Sequence, residues 1–266
     1  AIMIGTGAGH PRFLGIPGEE LSGVYSGHEY LARANAGPGR SSPHETHPGR
    51  SGRRVAVLGG GIMAIDAARV ARRLGTEVVD VIYRRARGDL PAQADQIRLA
   101  EEEGIGLLCR HDPIAIHGDD DGRVRELELV QVGTAERTSF RRPYDLVVLA
   151  AGHGPNPLLA SLTSYLVTNE WGQLVVDPGS LLVKLRDSAM HKPAEEAAEI
   201  AEEAGLTSAP GPVRVPIICA GGGVIGSQDG AGGSVITAMR HGRIAARTIH
   251  RMLSERYPEP AAPHPA

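Results

Sequence analysis

Lysine is almost missing from this chain. Among 266 residues only Lys184 and Lys192 are lysines, and arginine supplies the other basic side chains. The formal net charge is -3, so there is no basic excess to attract nucleic acid or an anionic membrane. Aromatic residues make up 3%, too few for a base-stacking platform. The two cysteines, Cys109 and Cys219, stand far apart with no C-x-x-C. That excludes a redox dithiol and a cysteine-based zinc or iron–sulfur site, and both cysteines read as small buried hydrophobes. No apolar run approaches the roughly 20 residues that span a bilayer. With no disulfide framework and no signal peptide, the cytoplasm is the expected compartment. The chain opens at Ala1, directly into an apolar run, which reads as a protein whose start lies elsewhere.

Glycine and proline, by contrast, are plentiful at 35 and 19 residues. Tight turns and close backbone approaches of that kind suit a cofactor-binding protein. Ala1–Gly9 reads as an apolar strand ending in a glycine-rich turn, and a helix is expected from about His28 to Asn35. Ala36–Gly52 is rich in Pro, Gly, Ser and His and reads as a linker. Arg54–Leu58 is a strand, Gly59–Gly61 a turn, and Met63, Ala67, Val70 and Leu74 recur at helical spacing until Gly75. Val78–Tyr83 is the next strand, and Ala92–Glu103 the next helix. Gly106–Cys109 and Asp112–His117 look extended. Asp119–Gly122 is a turn leading into the alternating run VRELELVQV. Leu146–Ala151 is apolar throughout, the mark of a buried parallel strand. Later come two short strands, Leu174–Val176 and Val213–Cys219. A helix over Pro193–Ala204 bears the solvated face Glu195, Glu196, Glu199, Glu202 and Glu203. A last helix spans about Ser234–Leu253, before a Pro/Ala-rich tail. Strand, glycine turn, helix, strand predicts an α/β fold with a parallel, Rossmann-like sheet.

The glycine turn carries the first functional signal. Gly59, Gly61 and Ala64 satisfy G-x-G-x-x-G/A, with a strand before and a helix after, which is the context the pattern requires. The first glycine permits the tight turn and the second admits a pyrophosphate to the backbone. The small third residue brings helix against strand. Gly60, Ile62 and Met63 complete the loop that would present N–H groups to the phosphates. The next strand end selects the nucleotide. A carboxylate there would receive the ribose hydroxyls of NAD, whereas arginine receives the 2′-phosphate of NADP. Arg84 and Arg85 stand there, with Arg87 following, and Asp80 comes too early in the strand. A solvated basic loop is the alternative reading of the same arginines.

The segment GGGIMAIDAARVARRLGTEVVDVIYRRARGDLPAQADQIRLAEEEGI resembles the NADPH-binding domain of the glutamate synthase small subunit and its relatives. That is a group of NADPH-dependent FAD oxidoreductases within the pyridine nucleotide-disulfide oxidoreductase type. The matching parts are the GGG turn with Asp66 in its helix, Tyr83-Arg84-Arg85, Leu90-Pro91-Ala92 and Glu101–Gly104. GTGAGHPRFLGIPGEELSGVYS and AAGHGPNP are similar to further parts of that family. The resemblance implies an NADP-binding Rossmann domain, residues 51–157, inserted in a partial FAD-binding domain. The flanks would be residues 1–50, with the linker, and residues 158–266, with a helical insertion. It further implies that Thr6, Gly7, Gly222 and Gly223 lie near FAD, that Ser234 and Val235 open the last helix toward the flavin, and that Ala151 and Gly152 lie near the nicotinamide. Two positions depart from the family. Ile62 stands where Asn or Asp is usual, and Gly223 where the family has Asp. The family's own FAD-binding G-x-G-x-x-G and its cysteine-rich segment do not occur in this sequence.

The expected function is therefore an oxidoreductase passing hydride from NADPH to FAD, with electrons going on to a partner subunit or domain. The alternative is a non-catalytic NADP-binding or scaffolding module that has lost flavin binding. The chain alone is expected to hold FAD poorly and to self-associate. No catalytic side chain is assigned, since the reacting atoms belong to the cofactors. His153 follows a strand end where ligands bind and is a candidate neighbour of the nicotinamide. His44-x-x-His47 has no third ligand and reads as solvated loop, so no metal is expected. No Ser/His/Asp set occurs in a hydrolase-like context.

Overall fold

Arg54–Leu58, Val78–Tyr83 and Leu146–Leu149 are short runs rich in Val, Leu and Ile, and each folds as a strand covered on both faces. The computed structural model describes residues 1–36, 54–133, 138–163, 165–186, 217–226 and 234–257. In chain order the principal strands are β1 (Ile2–Ile4), β2 (Val24–Ser26), β3 (Arg54–Leu58), β4 (Val78–Tyr83), β5 (Gly106–Cys109), β6 (His111–Gly118), β7 (Val124–Gln131), β8 (Ser139–Pro143), β9 (Leu146–Leu149) and β10 (Ile218–Ala220). The principal helices are α1 (Gly27–Asn35), α2 (Ile62–Arg73), α3 (Ala94–Glu102), α4 (Pro157–Leu162) and α5 (Val235–Arg256). The chain divides into two units, Pro11–His153 and the pair Ala1–His10 with Gly154–Ala266.

The Pro11–His153 unit is built on a five-stranded parallel sheet in the order β2-β9-β3-β4-β5. This is the expected Rossmann-like α/β arrangement. Alternate residues of each strand face opposite sides, and both sides are dry. Val55, Val57, Val79, Val81 and Val148 meet the helices through Tyr30, Ile65, Ala68, Ile97 and Ala100. Ala56, Leu58, Ile82, Val147 and Leu149 meet a second layer through Ile116, Val124, Leu127, Leu129 and Tyr144. That second layer is the antiparallel sheet β6-β7-β8. Asp80 points into it, where the Tyr144 hydroxyl donates to Asp80 Oδ2 at 2.7 Å and Arg142 lies 3.5 Å away. A carboxylate so placed is tied into the core.

Several elements differ from the sequence reading. Residues 11–36, grouped there with the flavin side, join the glycine-turn unit instead. β2 pairs with β9 (Val24 opposite Val147), and Tyr30 of α1 is fully buried in the helix-side core. β8 has the polar sequence SFRRP and owes its conformation to pairing with β7, not to any apolar alternation of its own. α4 begins on an Asn156 side-chain cap with Pro157 in its first turn. Leu174–Val176 makes isolated antiparallel bridges and not a strand. The linker from residue 37 with His44 and His47, the 193–204 helix and the tail beyond Tyr257 lie outside the described residues.

In the other unit, β1 pairs in parallel with β10, setting Ile2, Met3 and Ile4 opposite Ile218, Cys219 and Ala220. Ala245 of α5 packs with Leu181 and Cys219. Among the described residues no helix is long and apolar enough to cross a membrane.

Candidate functional site

β3 delivers the chain to the glycine turn at the C-terminal edge of the sheet, and the three glycines there have different tasks. Gly59 has φ +144°, and a Cβ on it would lie 2.3 Å from the Ala150 carbonyl oxygen. A Cβ on Gly60 would lie 2.7 Å from both the Leu90 and Tyr83 side chains. These two glycines are demanded by the fold. Gly61 is not: its φ is -83° and ψ 178°, open to any residue, and a Cβ there meets nothing within 4 Å. Gly61 is the N-cap of α2 and offers no side chain to cap it. Ala64 N–H donates to Gly61 O at 3.0 Å, so the N–H groups of Ile62 and Met63 precede the first bond of the helix. Ile62 is exposed, Met63 packs against Gly27, and Ala64 is fully buried where helix meets strand.

One strand over, β4 ends at Tyr83, and its hydroxyl donates to the Asp89 carbonyl at 2.8 Å. Arg84 and Arg85 follow, both exposed. Neither makes an ion pair among the described residues. Arg87, two residues on, is engaged by both carboxylate oxygens of Glu101, at 3.1 and 2.7 Å. Ala92 N–H donates to Gly60 O at 3.2 Å, so the Leu90-Pro91-Ala92 segment braces the glycine turn.

On the other side of β3, Ala150 follows β9 and packs on Gly59. Ala151 and Gly152 are exposed, Gly152 with φ +106°, and Arg12 N–H donates to the Gly152 carbonyl at 3.1 Å. His153 meets His28 edge to face, with ring centroids 5.3 Å apart. Burial, then the neighbouring His28 and Arg12, push the His153 imidazole below its ordinary pKa and favour the neutral ring. His28 escaped the sequence reading because only the fold brings it to His153.

The remaining site residues belong to the other unit. There the structure brings Thr6–Gly7 and Gly222–Gly223 to one place. A Cβ on Gly223 would lie 3.1 Å from the Ala8 backbone nitrogen, and Gly7 and Gly222 both have positive φ, 73° and 75°. Gly222 N–H donates to His241 Nδ1 at 3.1 Å, a contact the sequence did not signal. Ser234 caps α5 by accepting from Thr237 N–H, and Val235 beside it is exposed. The helix approaches the Gly222 turn further along, at Ala238 and His241.

The family model described as pyridine nucleotide-disulphide oxidoreductase matches residues 1–181. The glutamate synthase [NADPH] small chain of Halomonas elongata is 33% identical over 171 residues, which is 59% of this chain and 36% of that protein. The glutamate synthase [NADPH] small chain of Escherichia coli is 26% identical, over 95% of this chain and 50% of that protein. The chain thus spans half or less of the length of these relatives. Among solved structures, thioredoxin reductase of Lactococcus lactis superposes with a TM-score of 0.67 at 23% identity, covering 96% of this chain and 66% of that one.

Proposed function

Because the chain belongs to the pyridine nucleotide-disulphide oxidoreductase family, we propose that it binds NADPH on the Gly59–Ala64 turn and passes hydride to FAD, the electrons leaving for a partner subunit or domain. The observation that carries this reading is Gly61. Its neighbours Gly59 and Gly60 are required by packing, whereas Gly61 leaves open space in front of an uncapped helix terminus. A pyrophosphate fits that space and accepts from the N–H groups of Ile62 and Met63. Arg84 and Arg85 take the 2′-phosphate by charge-assisted bonds. Ala151 and Gly152 leave room for the nicotinamide at the opposite edge of the turn, and His153 with His28 bounds that edge. NADPH, when bound, supplies hydride and FAD accepts it. The protein's own work is to hold the nucleotide in place, so no catalytic side chain is named.

The fit to FAD is partial. Thr6–Gly7 and Gly222–Gly223 form a backbone turn with the open conformations a flavin phosphate or ribityl chain needs. The family resemblance implies an aspartate at position 223, where this chain has Gly223, and Ala8 crowds the position where such a side chain would start. That crowding favours a second reading, a nucleotide-binding module without flavin. The small-chain names of the relatives support a partner that receives electrons.

One preparation tests these readings. NADPH is expected to bind at least roughly tenfold more tightly than NADH, because one charge-assisted bond is worth about 1.5–3 kcal/mol. Equal affinities would refute the assignment of Arg84 and Arg85. Flavin absorbance decides the rest: a yellow protein with bound FAD supports the oxidoreductase, and a colourless protein that does not take up added FAD supports the module.

A further inference from the structure

A single residue, Arg110, joins an edge strand of the parallel sheet, β5, to the first strand of the antiparallel sheet, β6. Its φ is +57°, in the left-handed region where a long side chain is disfavoured. Glycine would make this junction more cheaply. Both ends of its peptide are fixed. Arg110 N–H donates to the Arg85 carbonyl at 2.9 Å, and the Arg110 carbonyl accepts from Val132 N–H at 2.7 Å. The register of the preceding pair, Tyr83 opposite Cys109, brings Arg110 alongside the Arg84–Arg85 strand end.

Charge pairing sets these three arginines apart from others of the same unit. Arg69 and Arg73 pair with Glu103, Arg87 with Glu101, Arg98 with Glu102, and Arg125 with Asp119. Arg84, Arg85 and Arg110 are all exposed, and among the described residues none of the three has a carboxylate partner. Three arginines on adjacent backbone thus carry positive charge without a carboxylate partner among the described residues. An anion of high charge density is the natural complement of such a cluster.

We propose that Arg110 is a specificity-determining residue, the third guanidinium of a site for the 2′-phosphate of NADPH. The inference rests on the reading of the Gly59–Ala64 turn as an NADPH site, and it adds a residue that lies on a different strand from Arg84 and Arg85. The left-handed backbone is kept by an arginine because the side chain is needed at that ledge.

The test is a set of titrations of the full chain with NADPH, NADH, 2′,5′-ADP and 5′-AMP. The variants are Arg110→Gly, Arg110→Lys and Arg84→Ala. Glycine suits the backbone, so Arg110→Gly is expected to melt no lower than wild type. It should weaken NADPH and 2′,5′-ADP by roughly tenfold, with NADH and 5′-AMP unchanged within about twofold. Arg110→Lys should recover part of the loss, since lysine keeps the charge without the planar fork. If wild type prefers NADPH and Arg84→Ala loses the preference while Arg110→Gly keeps it, Arg110 is overturned and the NADPH reading stands. If wild type shows no preference for the 2′-phosphate, the underlying reading fails and takes Arg110 with it.

Discussion

Gly61→Val separates the demands of the fold from those of the ligand. The native backbone at Gly61 is extended, with φ -83° and ψ 178°, and no atom lies within 4 Å of a Cβ built there. A branched side chain is therefore accommodated in the protein itself. Losing glycine at an N-cap costs a few tenths to about 1 kcal/mol, and the reduced freedom of the unfolded chain returns about 0.4–1 kcal/mol. The net effect on stability is small, within about 3 °C of melting temperature for a unit of this size. Binding is another matter. Valine places three carbon atoms in the space through which, in the proposed binding mode, a phosphate oxygen reaches the N–H groups of Ile62 and Met63. Two charge-assisted hydrogen bonds are lost, roughly 3–6 kcal/mol, or about two to four orders of magnitude in affinity. Gly59→Ala is the contrasting control. Its φ of +144° and the 2.3 Å approach to the Ala150 carbonyl leave no room for a methyl, so it should lose roughly 3 kcal/mol or more of stability. Melting curves and NADPH titration calorimetry on both variants give the answer. A Gly61→Val protein that binds NADPH within threefold of wild type, or melts as low as Gly59→Ala, would refute the reasoning.

Two further outcomes follow from the packing. Tyr144→Phe removes the 2.7 Å donor to Asp80 between the two sheets, leaving a buried carboxylate short of a partner; it should cost about 1–3 kcal/mol, seen as a lower melting temperature, with NADPH affinity unchanged. Glu103 is held well below its ordinary value of 4.5, to about 2, first by the Arg69 hydrogen bond and then by Arg73. Its folded pKa is depressed, so its stabilising contribution is complete above about pH 4.5 and is lost as the pH falls toward 2. Acid melts of wild type and Glu103→Gln should differ most near neutrality and converge below pH 3; a constant gap would exclude Glu103 as the source.

The elements that the sequence revealed are those with strong local rules. Val78–Tyr83 was legible to the residue because an unbroken β-rich run is bounded by a helix-stopping Gly75 and a pair of arginines. α2 was legible from its helical apolar spacing and from the glycines at each end. The glycine turn was legible as a turn because it stands between a β-rich run and a helical apolar spacing, and Arg84 and Arg85 stand just past the strand end, where the sequence put them. What was hidden is non-local. β8 is polar and becomes a strand only against β7. Val24–Ser26 is too short to declare which sheet it joins, and the pairing with β9 decides it. His28 and His153 are distant in sequence and meet only once β2, which leads into α1, pairs with β9. Arg110 reads as an ordinary surface arginine until its backbone angle and its bond to Arg85 are known.

The glycine turn is also held in place from outside itself. Leaving the turn, α2 carries Arg69, Arg72 and Arg73 on its later turns. Arg69 and Arg73 grip the Glu103 carboxylate at 2.7 and 2.9 Å, and Arg72 Nε donates to the Glu103 carbonyl at 3.0 Å. Glu103 is the C-cap of α3, and the segment leading into α3 returns to the turn, where Ala92 N–H donates to Gly60 O. Turn, helix, ion pair, helix and brace therefore close a ring in which each member restrains the next. Individual exposed ion pairs are weak, but Glu103 is only partly exposed and serves two arginines at once. A turn already ordered spends less of a ligand's binding energy on its own immobilisation. That matters for a protein proposed to contribute position and not a reacting group, since hydride transfer depends on how closely and how steadily the donor carbon is held. The arginines of α2 thus complement the proposed role of Arg84, Arg85 and Arg110 at the strand end. The first set shares the Glu103 carboxylate and fixes the helix terminus, and the second, with no carboxylate partner among the described residues, would keep its charge for the proposed phosphate.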